Sequence, residues 1–434
     1  MSRTSMNRRE QRLVRFLSQP QHYPHPVSGQ ILRRETHVSH VFLAGPFAYK
    51  LKKPVRFAFL DASTLALRKK FCLLELSLNR RLAPTIYVGM VPLVQTPQGL
   101  RLGGEGRAVE WLVKMRRLPE ERMLDRLLVA HRVNRRAMEQ VADRLIAFFK
   151  RAARSPTIRR YGAPEQVKVL VLDNLRECQP FVGRLLSEED RRFIEAAYRQ
   201  FLTLYEPVLK ARVRAQRIID GHGDLRCENI CLWSPAGRNP ERPPAAWLRQ
   251  AKPRGGVEGT EPVTIFDCVE FQPAFRCGDM ANDFSFLVMD LEFRGRHDLA
   301  EALVARYRKT LKDPTLDLVL PFYKCHRSLV RGKVRGLAWL QHPKTAEGRR
   351  AFHRPFCDGT QGEFTPQCCA PPVPTLGRIE TLALKAFNSS LAAPVPNLSR
   401  TILGVRCTIF PPMSGPSDSE RQVQRPDRGL RGFR

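Results

Sequence analysis

Two short stretches, GHGDLRCENICLW (221–233) and VTIFDCVEF (263–271), limit what this chain can fold into more than anything else in it. Asp224 and Asn229 lie five residues apart, and Asp267 closes a short apolar run of Val263, Ile265 and Phe266 that reads as a strand. A loop carrying one carboxylate and one amide, followed by a strand that ends on a second carboxylate, has the groups that phosphoryl transfer needs. One carboxylate receives or orients the acceptor's proton, and the other, helped by the amide oxygen, holds magnesium against nucleotide phosphates.

Further upstream, SHVFLAGPFAYKLKKPVRFAFLD (39–61) reads as two strands, 39–43 and 47–52, joined by a tight turn at Gly45-Pro46. The second strand carries Lys50 and Lys52 on one face, and an ammonium there suits the phosphates of a nucleotide. The alternative is that both are solvated lysines of an edge strand. The segment 64–82 reads as a helix with Asp61 or Ser63 as its cap, apolar Leu67, Phe71, Leu74 and Leu78, and a stop at Pro84. Glu75 is its lone acid. Phe71 and Asn79 occupy the positions four residues to either side, so no surface ion pair exists along the helix, and Lys50 is the expected partner. Lys52 is the fallback for the phosphate contact.

The loop step from Asp224 to Asn229 equals the step from base to metal-ligand Asn in the kinase motif H-R-D-x-x-x-x-N, with His222-Gly223-Asp224 in place of His-Arg-Asp. HGDxxxxN, the apolar strand before Asp267 and the run GDMANDFSF (278–286) resemble the aminoglycoside phosphotransferase and choline kinase superfamily. The wording AYKLKKP, FLD, LNRRLAP and IYVG resembles one branch of it, the kinase-like half of bacterial proteins that join such a domain to a C-terminal P-loop ATP-binding domain. The resemblance implies an α+β, bilobal protein-kinase-like fold, with a small antiparallel β-rich lobe and a mainly helical large lobe. It also implies ATP and Mg2+ as cofactors and a small-molecule hydroxyl compound as phosphate acceptor. Asp224 would be the catalytic residue, Asn229 and Asp267 the metal ligands, and Lys50, Glu75 and Lys52 the nucleotide-binding set. His222 would brace the loop rather than act as base, and Asp279 and Asp283 would cap a helix or bind loop amides. The chain departs from kinases in having no glycine-rich loop before Ser39, which leaves backbone amides or Ser39 to cover the phosphates. No GxxxxGK[ST] occurs in it.

These positions divide the chain into a basic N-terminal extension (1–26), a small lobe (27–118) and a large lobe (119–344) with a proline-rich loop insertion (234–262). The apolar run 111–115 would be the last small-lobe strand, with Arg116 to Pro119 as the hinge. Helices are expected at 135–153, 187–206, 298–311 and 316–336. Arg327, Arg331 and Lys333 on the last of these are read as structural or solvated rather than as contacts to an anionic acceptor. The segment 345–434 lacks periodicity and reads as a low-order tail, either a genuine low-complexity segment or the product of a reading-frame shift near Phe352.

A formal net charge of +31 favours phosphate-rich partners, so a basic nucleic-acid-binding protein is one rival reading. The arginines are nevertheless scattered through the expected helices, without a recognisable nucleic-acid motif. A catalytically silent nucleotide-binding regulatory module is the other rival. The eleven cysteines form no zinc spacing, no apolar run is long enough to span a bilayer, and the N-terminus lacks a signal h-region, so a cytoplasmic protein is expected. Polycationic aminoglycosides are poor acceptors for so basic a chain, with only Asp290 and Glu292 as nearby acids.

Overall fold

The computed structural model describes residues 8–57, 59–183, 186–232 and 263–341. The expected loop insertion and tail fall outside the described residues.

The small lobe is built on a six-stranded antiparallel sheet. In chain order its strands are β1 (Leu32–Glu35), β2 (Ser39–Ala44) and β3 (Phe47–Lys52), a separate minor hairpin β4 (Arg56–Phe57) and β5 (Leu60–Asp61), then β6 (Tyr87–Thr96), β7 (Gly99–Leu102) and β8 (Arg107–Arg116). The sheet order is β1-β2-β3-β8-β6-β7. Strand β3 is therefore interior: Lys50 pairs with Val41 on one side and Val113 on the other, which removes the edge-lysine reading. Gly45, at φ +54°, closes the two-residue turn between β2 and β3.

Alternation along β3 sends Phe47, Tyr49 and Leu51 to one face and Lys50 and Lys52 to the other. The apolar face is covered by helix α1 (Arg8–Leu17), whose Leu13, Val14 and Leu17 join Phe42, Leu93 and Leu112 in one cluster. At about 1.5–3 kcal/mol per fully buried aliphatic side chain, this contact makes 8–17 part of the small lobe rather than a separate extension.

The lysine face meets helix α2 (Leu65–Asn79). Its cap is Thr64, whose hydroxyl accepts from Leu67 N at 3.2 Å, and not Asp61 or Ser63. Asp61 is instead occupied by the amide and hydroxyl of Ser63. Cys72 and Leu76 pack on Tyr87 and Val113, and buried Arg68 forks onto Glu110 of β8, so α2 is fastened across the sheet.

The large lobe packs the helices Arg135–Arg151, Met280–Phe293, His297–Leu311 and Leu316–Gln341 around Phe149, Phe284 and Tyr307. Two short antiparallel pairs lie against this core: β9 (Ile218–Asp220) with β12 (Cys277–Asp279), and β10 (Ile230–Leu232) with β11 (Val263–Ile265). Among the described residues no helix is long and apolar enough to cross a membrane.

Buried histidines give the fold a pH dependence. Burial holds His326 well below its ordinary value of 6.5, and burial also lowers His40 against the pull of Glu10. Such a group stays neutral in the folded chain while the unfolded chain takes up a proton below about pH 6.5, so stability falls as pH drops through that value. The slope is at most about 1.4 kcal/mol per pH unit for each differential proton. Melting temperatures from pH 8 to 5 should therefore fall below pH 6.5. The His326→Gln variant should flatten part of that fall, and a pH-independent melting temperature over this range would contradict the assignment.

Candidate active site

Strand β9 runs directly into Gly221-His222-Gly223-Asp224, and both glycines are required by close contacts. A Cβ on Gly221 would lie 2.7 Å from Asp283 Oδ2 and 2.9 Å from Arg276 O. Gly223 has φ +87°, and a Cβ there would lie 2.8 Å from Phe275 O, which excludes the Arg of the kinase motif at this position. Asp283 accepts from the amides of His222 and Gly223, each at 2.7 Å, and Asp279 caps the helix Met280–Phe293 through Ala281 N.

His222 is fully buried. Its Nδ1 accepts from Asp224 N at 3.2 Å, so Nε2 carries the proton and donates to Phe266 O at 3.0 Å. Burial keeps the ring neutral, and both nitrogens are committed to bracing the loop against the strand that leads to Asp267. Two backbone bonds reinforce the join, Phe266 N to Asn229 O and Val269 N to His222 O, each 3.0 Å.

The Asp224 carboxylate accepts from the Arg226 fork at 2.8 and 2.9 Å and from Asn229 Nδ2 at 2.9 Å. Burial pushes its carboxyl up, but Arg226, with a hydrogen bond from Asn229, outweighs burial and holds it below the usual carboxylate range. Asn229 turns its NH2 to Asp224, which leaves its Oδ1 as the acceptor for a ligand. Asp267 adopts a left-handed backbone, φ +64°, and its amide donates to the buried hydroxyl of Tyr87 at 3.2 Å. A left-handed non-glycine residue two positions past a strand is a local strain of the kind found at functional sites.

Lys50 Nζ bridges Glu75 Oε1 at 2.9 Å and Asp267 Oδ1 at 2.7 Å. Lys52 Nζ bridges Glu75 Oε2 at 2.6 Å and Glu270 Oε1 at 2.5 Å. Burial disfavours both ammonium groups, yet the surrounding carboxylates raise both above the ordinary lysine value, so both are charged. Burial also disfavours ionised Glu75, which Lys50 and Lys52 together keep lowered. Two cations among three carboxylates leave the cluster one negative charge in excess.

The two lysines are not alternatives. They share one glutamate, and only Lys50 also reaches Asp267, whose side chain is 44% exposed against 5% for Lys52. Three residues that give no sequence signal complete the join between lobes. Glu270 anchors Lys52. Asn79 Oδ1 accepts from Cys268 N at 2.8 Å while its Nδ2 donates to Glu75 O. Arg81, just past α2, donates to the carbonyls of Asp220 and Gly221 at 2.8 and 2.7 Å. Asn79 and Glu270 differ from ordinary surface polar residues only in standing four residues after Glu75 and three after Asp267.

Ser39 does not cover a phosphate. It is fully buried, and its amide, like that of Val38, is taken by Thr36 Oγ1. Asp290 accepts from Cys227 N and pairs with Arg331 and Arg294, Glu292 pairs with Lys324, and Lys333 pairs with Glu177. Those acids are committed to structure.

A lysine on an interior strand, held by a helix glutamate and facing the carboxylate that follows β11, with a loop Asp-Asn pair pinned alongside, is how a kinase arranges its cleft. The fold is protein-kinase-like. No protein-family model matches the chain. Over 331 residues it is 33% identical to an uncharacterized protein of Mycobacterium tuberculosis (strain H37Rv), covering 76% of this chain, and to an uncharacterized Mycobacterium bovis protein to the same extent. The chain spans 60% of the length of these curated relatives. Among solved structures it is similar to a choline/ethanolamine kinase family protein from Mesorhizobium loti, with TM-score 0.42, 13% identity, and 79% of this chain and 92% of that one covered. It is also similar to a Plasmodium vivax ethanolamine kinase, with TM-score 0.41, 8% identity, and 75% and 80% covered. An ADP-bound aminoglycoside phosphotransferase gives TM-score 0.35 at 14% identity over 76% and 93%.

Proposed function

We propose that the chain is an ATP- and magnesium-dependent phosphotransferase acting on a hydroxyl group of a small molecule. The observation that carries this reading is the Lys50 bridge between Glu75 and Asp267, formed beside a loop whose Asp224 and Asn229 are tied to the same strand through His222.

The donor set fits magnesium. Among the described residues no group of three or more His, Cys, Asp or Glu is arranged for a metal, so the protein would offer one carboxylate, Asp267, and one amide oxygen, Asn229 Oδ1. Magnesium is commonly held by so few protein oxygens, with phosphate and water completing its shell. When bound, ATP supplies the phosphoryl group and magnesium neutralises charge on its phosphates. Lys50 would neutralise phosphate oxygens, with Glu75 fixing its rotamer. Asp224 would accept a hydrogen bond from the acceptor hydroxyl and take its proton as the new bond forms. Because Arg226 lowers its basicity, Asp224 acts chiefly by orienting the hydroxyl, which suits a loose transition state.

Calorimetric titration with a magnesium-bound, non-hydrolysable ATP analogue tests the reading: binding should occur and disappear when EDTA removes the metal. Absence of metal-dependent nucleotide binding would overturn it. The silent-module reading has the Arg226 fork on Asp224 in its favour. It predicts that same binding with no ADP release on any hydroxylated compound.

The shared glutamate separates the two lysines by experiment. Lys50→Met should weaken nucleotide binding by about tenfold or more, since it removes the phosphate contact. Lys52→Met leaves Glu270 as a buried carboxylate without its cation and Glu75 with Lys50 alone, so it should cost about 3–5 kcal/mol of stability. Melting curves and calorimetry on both variants check this. A larger affinity loss in the Lys52 variant at unchanged stability would reverse the assignment.

A further inference from the structure

Arg327, Arg331 and Arg335 recur every four residues on the helix Leu316–Gln341 and share one face of it. Two of them have evident structural duties. Arg327, buried, donates to Asn282 O and Oδ1 and to Gly223 O, directly behind the catalytic loop. Arg331 pairs with Asp290. Arg335 is different: among the described residues it makes no hydrogen bond and no ion pair, and its Nη1 is buried without a partner. Its guanidinium lies 5.6 Å from the Phe293 ring, next to Arg331 at 4.8 Å from the same ring, and the Nε of Arg331 is also buried without a partner.

The carboxylates nearby are already committed. Asp224 is held by Arg226, Glu228 by Arg226 and Arg294, and Asp290 by Arg331 and Arg294. The fields of Glu228 and Asp290 reach Arg335 but are opposed by those of Arg331 and Arg226. Burial first, and then Arg331, draw its pKa down to about 10. At neutral pH the group keeps its charge, partly desolvated and without an ion pair among the described residues, and Arg327 likewise has none there. A partly buried guanidinium lacking an anion gains most when one arrives, because its free N–H donors then form charge-assisted bonds. Arg226 links this place to the reacting end, since it pairs with Asp224 on one side and with Glu228, which faces Arg335, on the other.

We propose that the acceptor is an anion: a small hydroxyl compound with a carboxylate or phosphate, whose charged end is bound by Arg335 beside the free Nε of Arg331 while its hydroxyl reaches Asp224. This rests on the phosphotransferase reading above and names the class of its acceptor. In the reaction the acceptor O–H gives its proton to Asp224, its oxygen forms the new O–P bond to the γ-phosphorus of ATP, and the bond to the β–γ bridging oxygen breaks, with ADP taking that electron pair.

The test uses the full chain and four probes: glycerate and glycerol 3-phosphate as anions, glycerol as the neutral analogue and choline as the cationic one. Calorimetric titration of each, with and without the magnesium-bound ATP analogue, is paired with ADP release in the presence of ATP. At least one anion should bind and support turnover while glycerol and choline do not, and which anion does so tells carboxylate from phosphate. Arg335→Gln should weaken that anion's binding by tenfold or more at unchanged melting temperature, with Arg335→Lys intermediate. Binding by neither anion, turnover of choline or glycerol as fast as the anions, or an Arg335→Gln variant that binds the anion like the parent would each overturn the proposal. Loss of magnesium-dependent nucleotide binding in the parent chain would instead overturn the phosphotransferase reading itself, so the two failures are distinguishable.

Discussion

Asp267→Asn should abolish most magnesium-dependent nucleotide binding and lower phosphotransfer by about 10²–10³-fold, the scale seen when one preorganised electrostatic contact is removed from a reacting centre. The substitution keeps the shape of the side chain and removes only its charge, which is the property that holds a hard divalent cation. Folding should be little affected. Asp267 is half exposed, and Lys50 retains Glu75 when its second carboxylate is lost. Asn229→Ala should act in the same direction more weakly, since an amide oxygen contributes a dipole rather than a charge. Calorimetry with a magnesium-bound ATP analogue, alongside a melting curve, separates the two effects. Unchanged nucleotide affinity in a well-folded Asp267→Asn protein would remove Asp267 from the metal site.

Arg212→Leu should destabilise the large lobe by about 3–5 kcal/mol, which is the cost of leaving buried carboxylates without their partner. Arg212 is 1% exposed and forks onto Asp279 at 2.5 and 2.7 Å, while its third nitrogen reaches both oxygens of Asp313 at 2.9 Å. Asp313 keeps Arg217 at 3.2 Å when Arg212 is lost, but among the described residues Asp279 has no second cation. Asp279 also caps the helix that carries Asp283, so strain there reaches the amides of His222 and Gly223. The melting temperature should drop by about 6–20 °C, using roughly 2–4 °C per kcal/mol for a body of this size. Arg212→Lys should recover only part of this, because an ammonium cannot match two carboxylates as a planar fork does. A loss of about 1 kcal/mol or less in Arg212→Leu would show that the network relaxes around the gap.

The sequence was legible for local contacts and for those the kinase-like resemblance implied, such as Lys50 with Glu75. Asp224 and Asn229 meet through a direct hydrogen bond because a five-residue loop can fold back on itself, and the helix around Glu75 declares itself by its apolar spacing. Where several residues of equal chemistry compete locally, the sequence is ambiguous. Asp61, Ser63 and Thr64 can all cap a helix; Thr64 does so, directly before Leu65, while Asp61 accepts from Ser63. Helix α1 gives little signal in the sequence because four apolar residues crowded at its end among arginines make a weak pattern until a sheet face is there to receive them.

By itself the sequence determined the order and spacing of the motif residues and the positions of the main helices and strands, while the two-lobe α+β division came from the family resemblance those motifs carry. Spacing and periodicity operate over one turn or one strand, whereas the need for glycine at 221 and 223 appears only when Asp283, Arg276 and Phe275 pack against the loop. Only the tertiary structure decided that Lys50 and Lys52 divide one glutamate between them, that Lys50 faces Asp267 while Lys52 takes Glu270, that Asn79 fastens α2 to Cys268 beside Asp267, and that Arg81 fastens it to Asp220 and Gly221. Lys50 and Asp267 are separated by 217 residues, and Asn79 and Cys268 by 189. Pairings at such range are set by how the sheet, the helix and the loop pack in three dimensions. A lysine, glutamate or asparagine carries the same local preferences whether it ends in solvent or at the centre of such a cluster, so only the packed fold tells them apart.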